Sequence, residues 1–600
     1  MLTGVIGQRR LVTARRLPWY LAVTMIASSL SCGSGRSAAA AAELHTITDT
    51  YWEWRLQEFP QFATSTGDRR YNDRLDDLSV EAFARRHVYR QKLLQDLKQV
   101  PRTRLAPGDR VTYDLLRREV EVAIENFSLS SHLLAFSQVV GPHIDLPRMA
   151  ARFPFEAADD YGAYLARLEQ VPRYLEQVTA LLREGMAAGV VMARNPMRQA
   201  TYLLREQFEV RIKDHPFYHP FTSFPDVIST AERRDLRGQA RRALDERVLP
   251  AFKDFYLFIV NEYLPACRQD IGLPSLPQGK RRYELLVNVY AGEGFNPGEL
   301  NGQAQTEVQW LELQIDSIQQ SLGFIEDRTT FAWSLQNSPS LFHRTPRALV
   351  ENYRRLLDHL KRRLGGLFGR LPAADLTVVE APGHLAPRLP ATSYQLTGSN
   401  SVGRFMVNTL YHDERPIWNI EAQALGDGLP GRHLQQALVN EMAGLPPFRK
   451  YLNVPAFTEG WALYAESLGP QIGLYQNIYA RYGWLTRRLL AAVRVVVDTG
   501  IHSQGWDRRQ ALDYLAEHTT LPAHRMSEVI NGLSADPGTA LARWVGAVKI
   551  DQLQREARER LGDGFDIRAF HNAVLGQGPV PLDLLEQAVN DYIKLKLKSS

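Results

Sequence analysis

The sequence predicts a mainly α-helical fold carrying one small β-sheet, and two features of its 600 residues say so. Across most of the chain apolar side chains recur every three or four residues, the spacing that gathers them on one helix face. Around residues 376–410 that period stops, and short β-branched and aromatic runs stand between Pro and Gly, as strands do. At 44% hydrophobic, 10% aromatic and 23% charged, the chain has ample apolar material for a large core.

The helical pattern runs from Leu44 to about Asn301, as in Tyr161-Gly-Ala-Tyr-Leu-Ala-Arg-Leu and Tyr202-Leu-Leu-Arg-Glu-Gln-Phe208. It continues through Glu307 to Leu322 and Pro346 to Leu364. Three strands are then expected, within Leu376 to Pro382, Ala391 to Gln395 and Arg404 to Thr409, and helices resume at Asn419. His215 and His219 have the spacing of a metal pair on a helix, but Pro216 and Pro220 break any helix there, so a loop is expected. No Gly/Ser linker, charge block or fixed-period repeat divides the chain, which implies a single domain over 44–600.

Residues 1–31 read as an export signal: Arg9, Arg10, Arg15 and Arg16 precede an apolar run from Leu17 to Leu30, too short to span a bilayer comfortably. The run ends in Ser29-Leu30-Ser31-Cys32, which resembles a lipobox, followed by an Ala/Ser-rich linker over 32–43. Two outcomes are open: a cell-envelope lipoprotein held to the membrane by a lipid on Cys32, or cleavage within Ala38 to Ala42 and a soluble periplasmic or secreted protein. Removing the signal lowers Lys+Arg from 71 to 67 against 66 Asp+Glu, so no basic footprint for nucleic acid remains. With Cys32 as an anchor, Cys267 would stand alone and no intrachain disulfide could form.

The most informative stretches follow the expected sheet. Gly426-Asp427-Gly428-Leu429-Pro430-Gly431-Arg432-His433-Leu434-Gln435 is followed by Phe457-Thr458-Glu459-Gly460-Trp461-Ala462-Leu463-Tyr464-Ala465-Glu466-Ser467-Leu468. Together they resemble the signature of the bacterial domain-of-unknown-function 885 family, predicted metallopeptidases of gluzincin type, which reads HEAxPGHHLQ and then FxEGWALYAExL. The second stretch agrees at almost every position. Further resemblance lies in Tyr51-Trp-Glu-Trp through Tyr71, in Gly403-Arg-Phe-Met-Val-Asn408, in Val497-Asp-Thr-Gly-Ile-His502 and in Leu561 to Leu582. It implies a large helical zincin-like scaffold with the small sheet beside the active-site helix.

The departures fall on the chemistry. A gluzincin holds zinc with two histidines from one helix and a glutamate from another, while a second glutamate acts as general base on the bound water. Here Gly426 stands at the first histidine, Asp427 at the general base and Arg432 at the next histidine, leaving only Glu459 and His433 as remnant ligands. Glycine offers no ligand, and arginine is a permanent cation with no acceptor. The competing reading for Glu459 is a carboxylate paired with Arg432 or another cation, and for His433 a hydrogen-bonded ring. Glu466, two helical turns beyond Glu459, reads as a supporting or surface group. Towards the C-terminus the family's RY and PGQALSYKIG are replaced by Asn531-Gly532 and by Pro537 to Gly546, with Arg543 and Trp544 in place of its tyrosine and lysine.

The losses imply a non-catalytic relative with no cofactor, which binds peptides in a remnant cleft or serves a structural role. The alternative is a hydrolase acting on peptide bonds through a divergent zinc site built from Asp427, His433 and Glu459, with His502 drawn in. If only side chains are missing, Gly426→His, Asp427→Glu and Arg432→His together should rebuild a zinc site.

Overall fold

The computed structural model describes residues 19–383, 386, 389–396 and 402–599, with side chains between 36 and 598. The first 18 residues of the expected signal and the side chain of Cys32 lie outside this set. The first helix, Trp19–Glu58, runs without a break through the stretch expected to be a linker. Alanine has the highest intrinsic helix propensity, and Ala40 and Leu44, one turn apart, are both buried, which explains why 32–43 is helix and not spacer. Among the described residues no helix is long and apolar enough to cross a membrane.

Among the described residues the fold is mainly helical with one three-stranded sheet, as expected. Its apolar core falls into two main clusters. One lies within residues 75–267, around Phe136, Tyr164, Phe217 and Phe252. The other joins the first helix and apolar residues between Leu93 and Val120 to the chain from Ile271 to Ile593. The segment with His215 and His219 is a 3-10 turn, Pro216–Thr222, and His215 is spent on the backbone, 3.0 Å from the Gln207 carbonyl. Cys267 is buried, and burial pushes its thiol up to about 12, so it is no nucleophile.

Helix Pro455–Ser467 crosses helix Thr539–Leu561, which packs on helix Ile478–His502, itself packed along helix Pro297–Ser321. The first crossing is set by glycine: a Cβ on Gly460 would stand 2.4 Å from the Gly546 Cα, and one on Gly546 would stand 1.8 Å from the Ala456 carbonyl oxygen. Only at that separation do the two backbones bring Glu459, Glu466 and Arg543 within reach of each other.

In the sheet, β3 (Gly403–Val407) lies between β1 (Leu376–Glu380), which it pairs in parallel, and β2 (Thr392–Gln395), which it pairs antiparallel. Gly403, Phe405 and Val407 face inward while Arg404 faces out, the two-residue alternation of a strand with one covered face. Tyr353 of helix Pro346–Arg363 covers that face, its ring 5.3 Å from Phe405.

Candidate functional site

Beyond the sheet helices resume next to Asn419, as expected, but in short pieces. The chain makes a short helix, Ile420–Gln423, a π-helical turn, Ala424–Gly428, and only then helix Arg432–Asn440. The Leu429-Pro430-Gly431 break is pinned by Trp461, whose Nε1–H points at the carbonyls of Pro430 and Gly431 at 3.0 and 3.2 Å. That contact joins the two most family-like stretches and places Asp427 and Arg432 over the face of Pro455–Ser467 that carries Glu459 and Glu466.

One alternating chain of donors and acceptors runs through the site. Thr392 Oγ1 donates to Asp427 Oδ2 at 2.6 Å, and Arg432 Nε donates to Asp427 Oδ1 at 3.2 Å. Arg432 Nη2 donates to Glu459 Oε2 at 2.5 Å. Arg543 Nη1 stands 3.7 Å from the same Glu459 oxygen, and Arg543 Nη2 donates to Glu466 Oε1 at 2.6 Å. Arg487 grips Glu466 through Nη2 at 2.8 Å and Nε at 3.2 Å. Arg432, Arg487 and Arg543 thus face Asp427, Glu459 and Glu466, and the formal charges cancel.

Cancellation matters because Glu466 is 0% exposed and Asp427 only 15%. Burying an unpaired charge costs several kcal/mol, and pairing offsets that cost only when the geometry is close, as here. Burial alone would weaken the Arg432 guanidinium, but the carboxylates of Glu459 and Asp427 outweigh it and hold the group above its ordinary value. For Arg487 burial is likewise outweighed, chiefly by Glu466.

His433 faces the other way. Its Nδ1 is 2.9 Å from Tyr394 Oη on β2, and a Cβ on Gly403 of β3 would come within 2.6 Å of that nitrogen. Burial pushes the imidazole down to about 4, opposed by a hydrogen bond to the Ala374 backbone, so the ring is neutral at pH 7. The structure therefore brings Asp427 and Glu459 together around Arg432 and leaves His433 on the sheet side of its helix. His502 is also apart: Nδ1 accepts from the Leu273 amide at 3.1 Å and Nε2 lies 3.1 Å from the Leu533 carbonyl.

Of the C-terminal positions only Arg543 enters the network. Asn531 Oδ1 accepts from Arg508 at 2.7 Å, Gly532 has open space where a side chain would be, and Trp544 Nε1 donates to Glu307 at 2.8 Å. Glu466 is a fully buried hub and not a surface group. Arg487, absent from the sequence reading, had a signal: an arginine inside Leu485-Thr-Arg-Arg-Leu-Leu-Ala-Ala-Val493 needs a buried partner.

The residues present do not fit a zinc ion. Both carboxylates that would face it accept from a guanidinium, and that guanidinium stands between them. Among the described residues no cluster of three or more His, Cys, Asp or Glu is arranged to hold a metal. Nor are side chains alone missing: a Cβ on Gly426 would stand 2.8 Å from Glu466 Oε1 and 3.1 Å from the Ala462 carbonyl oxygen. The place of a side chain at 426 is taken by the Glu466 carboxylate that Arg487 and Arg543 hold.

A second buried acid lies on helix Ile478–His502. Asp498 is 0% exposed, accepts from Tyr283 Oη at 2.6 Å and from the Gly538 amide at 3.0 Å, and burial raises it to about 7 despite these bonds and nearby Arg494. A carboxyl raised from about 3.9 in the unfolded chain costs stability as it ionises, so stability should fall from pH 4 to 7 and level off above. Asp498→Asn removes that ionisation while keeping an acceptor. Its stability relative to the parent should climb by on the order of 4 kcal/mol between pH 4 and 8, read by urea denaturation. A difference that does not change with pH would refute the raised carboxyl.

Comparison with known proteins places this geometry in a family. Among curated proteins none matches the chain. A "putative lipoprotein" from Colwellia psychrerythraea superposes with a TM-score of 0.86 at 22% identity, over 93% of this chain and 99% of that one. A "putative lipoprotein of unknown function" from Shewanella oneidensis superposes with a TM-score of 0.71 at 16% identity, over 91% of this chain and 99% of that one. At these identities the likeness shows a shared fold. The model of the family described as "Bacterial protein of unknown function (DUF885)" matches residues 60–589, so the chain belongs to the DUF885 family.

Proposed function

We propose that this chain is an exported, non-catalytic member of its family, in which an arginine–carboxylate network stands where the family resemblance implies zinc chemistry, and that it binds peptides in the remaining cleft. The observation that carries the reading is the Arg432 guanidinium between Asp427 and Glu459. A carboxylate that accepts from Thr392 and Arg432 has little left with which to activate water, and no Lewis acid can approach past a permanent cation. Incubation with a mixed peptide substrate set in zinc-supplemented buffer should give no turnover above a heat-denatured control. Turnover abolished by Glu459→Ala would overturn the reading.

Export rests on the basic and apolar segments before Cys32, and the two solved structures named above each carry the description "putative lipoprotein". Membrane attachment through Cys32 is the form we favour: labelled palmitate should enter the full chain, and Cys32→Ser should lose both label and membrane association. A mature N-terminus within Ala38 to Ala42 would contradict lipidation.

A further inference from the structure

A cleft of about 750 Å³ opens between helices Arg328–Gln336 and Ile478–His502 and the segment that leads into the site. Its size lies in the range of small-molecule and peptide sites. One wall is backed by a run of edge-to-face rings, Phe331 against Tyr482 at 5.5 Å, Tyr482 against Trp418 at 6.3 Å and Trp418 against Phe342 at 5.8 Å, of which Phe331, Tyr482 and Trp418 are buried. Trp333, also lining it, is 65% exposed. Arg487 forms part of the lining and holds Glu466, so the cleft abuts the network.

Charge bookkeeping indicates what would enter. Each arginine lining the cleft is matched: Arg328 by Glu312 and Asp316, Arg487 by Glu466, and Arg525 by Glu528. Glu312 is further engaged by His518 at 3.0 Å. Asp413 and Glu414 line the same cleft and form no salt bridge among the described residues. Their neighbour Arg415 turns its Nε to the Leu410 carbonyl at 3.2 Å and stays within electrostatic reach of Glu414 without forming a salt bridge to it. Carboxylates outside any salt bridge among the described residues, beside the exposed Trp333 ring, favour an organic cation, held by charge at one end and over that ring at the other.

We infer that this cleft binds a short peptide through a positively charged group, with neighbouring apolar side chains laid on the exposed Trp333 and the half-buried Phe342. The inference rests on the peptide-binding reading above and names its site and the charge it selects. The ammonium or guanidinium group meets Asp413 and Glu414, which a ligand of the opposite charge would find repulsive.

The test is calorimetric titration of the signal-free chain with a four-residue peptide of alternating lysine and phenylalanine, amidated at its end. An acetylated peptide with glutamate in place of lysine serves beside it. Saturable binding of the lysine peptide alone is expected, weakened about tenfold or more by Asp413→Asn with Glu414→Gln and by Trp333→Ala. These side chains are exposed, so the variants should fold, and circular dichroism checks that they do. Binding of the glutamate peptide instead, or binding indifferent to these changes, overturns the charge assignment but leaves a peptide-binding protein. Absence of binding by either peptide overturns both.

Discussion

Glu466→Gln should lower the unfolding free energy by about 3–5 kcal/mol, the cost of removing one partner from a buried ion pair. The carboxylate has no exposed surface and accepts from both Arg487 and Arg543. Glutamine keeps the shape, but its amide is neutral and can offer one acceptor atom where the carboxylate offered two, so the guanidinium groups lose the charge that compensates them. Glu459→Gln should cost far less, about 1 kcal/mol, because Glu459 is 33% exposed and water screens the loss. Arg543→Met added to Glu466→Gln should recover part of the first loss, a non-additivity that marks members of one network. Urea denaturation with unchanged slope reads all of these. A Glu466→Gln cost below about 1 kcal/mol would mean that water reaches the hub.

Zinc affinity should respond to Arg543 as strongly as to the ligand positions. In the triple variant Gly426→His, Asp427→Glu, Arg432→His, the new side chain at 426 meets a Glu466 still held in place, and Arg543 remains 3.7 Å from the ligand oxygen of Glu459. A guanidinium at that range repels a dication and competes for the carboxylate. Adding Arg543→Tyr, the residue type the family resemblance places there, frees Glu466 on one side and removes the cation. Calorimetric titration should then show zinc binding at least about 100-fold tighter than in the triple variant, a difference of about 2.7 kcal/mol. Equal affinities in the two variants would show that Arg543 plays no part in excluding metal.

The elements that follow local rules were legible beforehand. The three strands fall within the stretches read as 376–382, 391–395 and, with β3 starting one residue early, 404–409, because β-branched runs bounded by Pro and Gly leave few alternatives. The pairing of Glu459 with Arg432 was open as one of two readings, since a cation at a ligand position invites the nearest carboxylate. What was not legible depended on backbone course or long-range contact. The π-turn at Ala424–Gly428 follows from Trp461 bonding back to Pro430 and Gly431, which no periodicity encodes. Trp544 turned to Glu307, more than 200 residues away in sequence, and not into the site. Arg487 reaches the hub only because the Gly460–Gly546 crossing sets where Glu466 lies.

Elemental analysis of the purified, signal-free chain tests the central claim most directly, because a guanidinium and a zinc ion cannot occupy the space between Asp427 and Glu459 together. The account predicts well under one zinc per chain, unchanged by Glu459→Ala. One tightly held equivalent per chain that disappears in Glu459→Ala would contradict it.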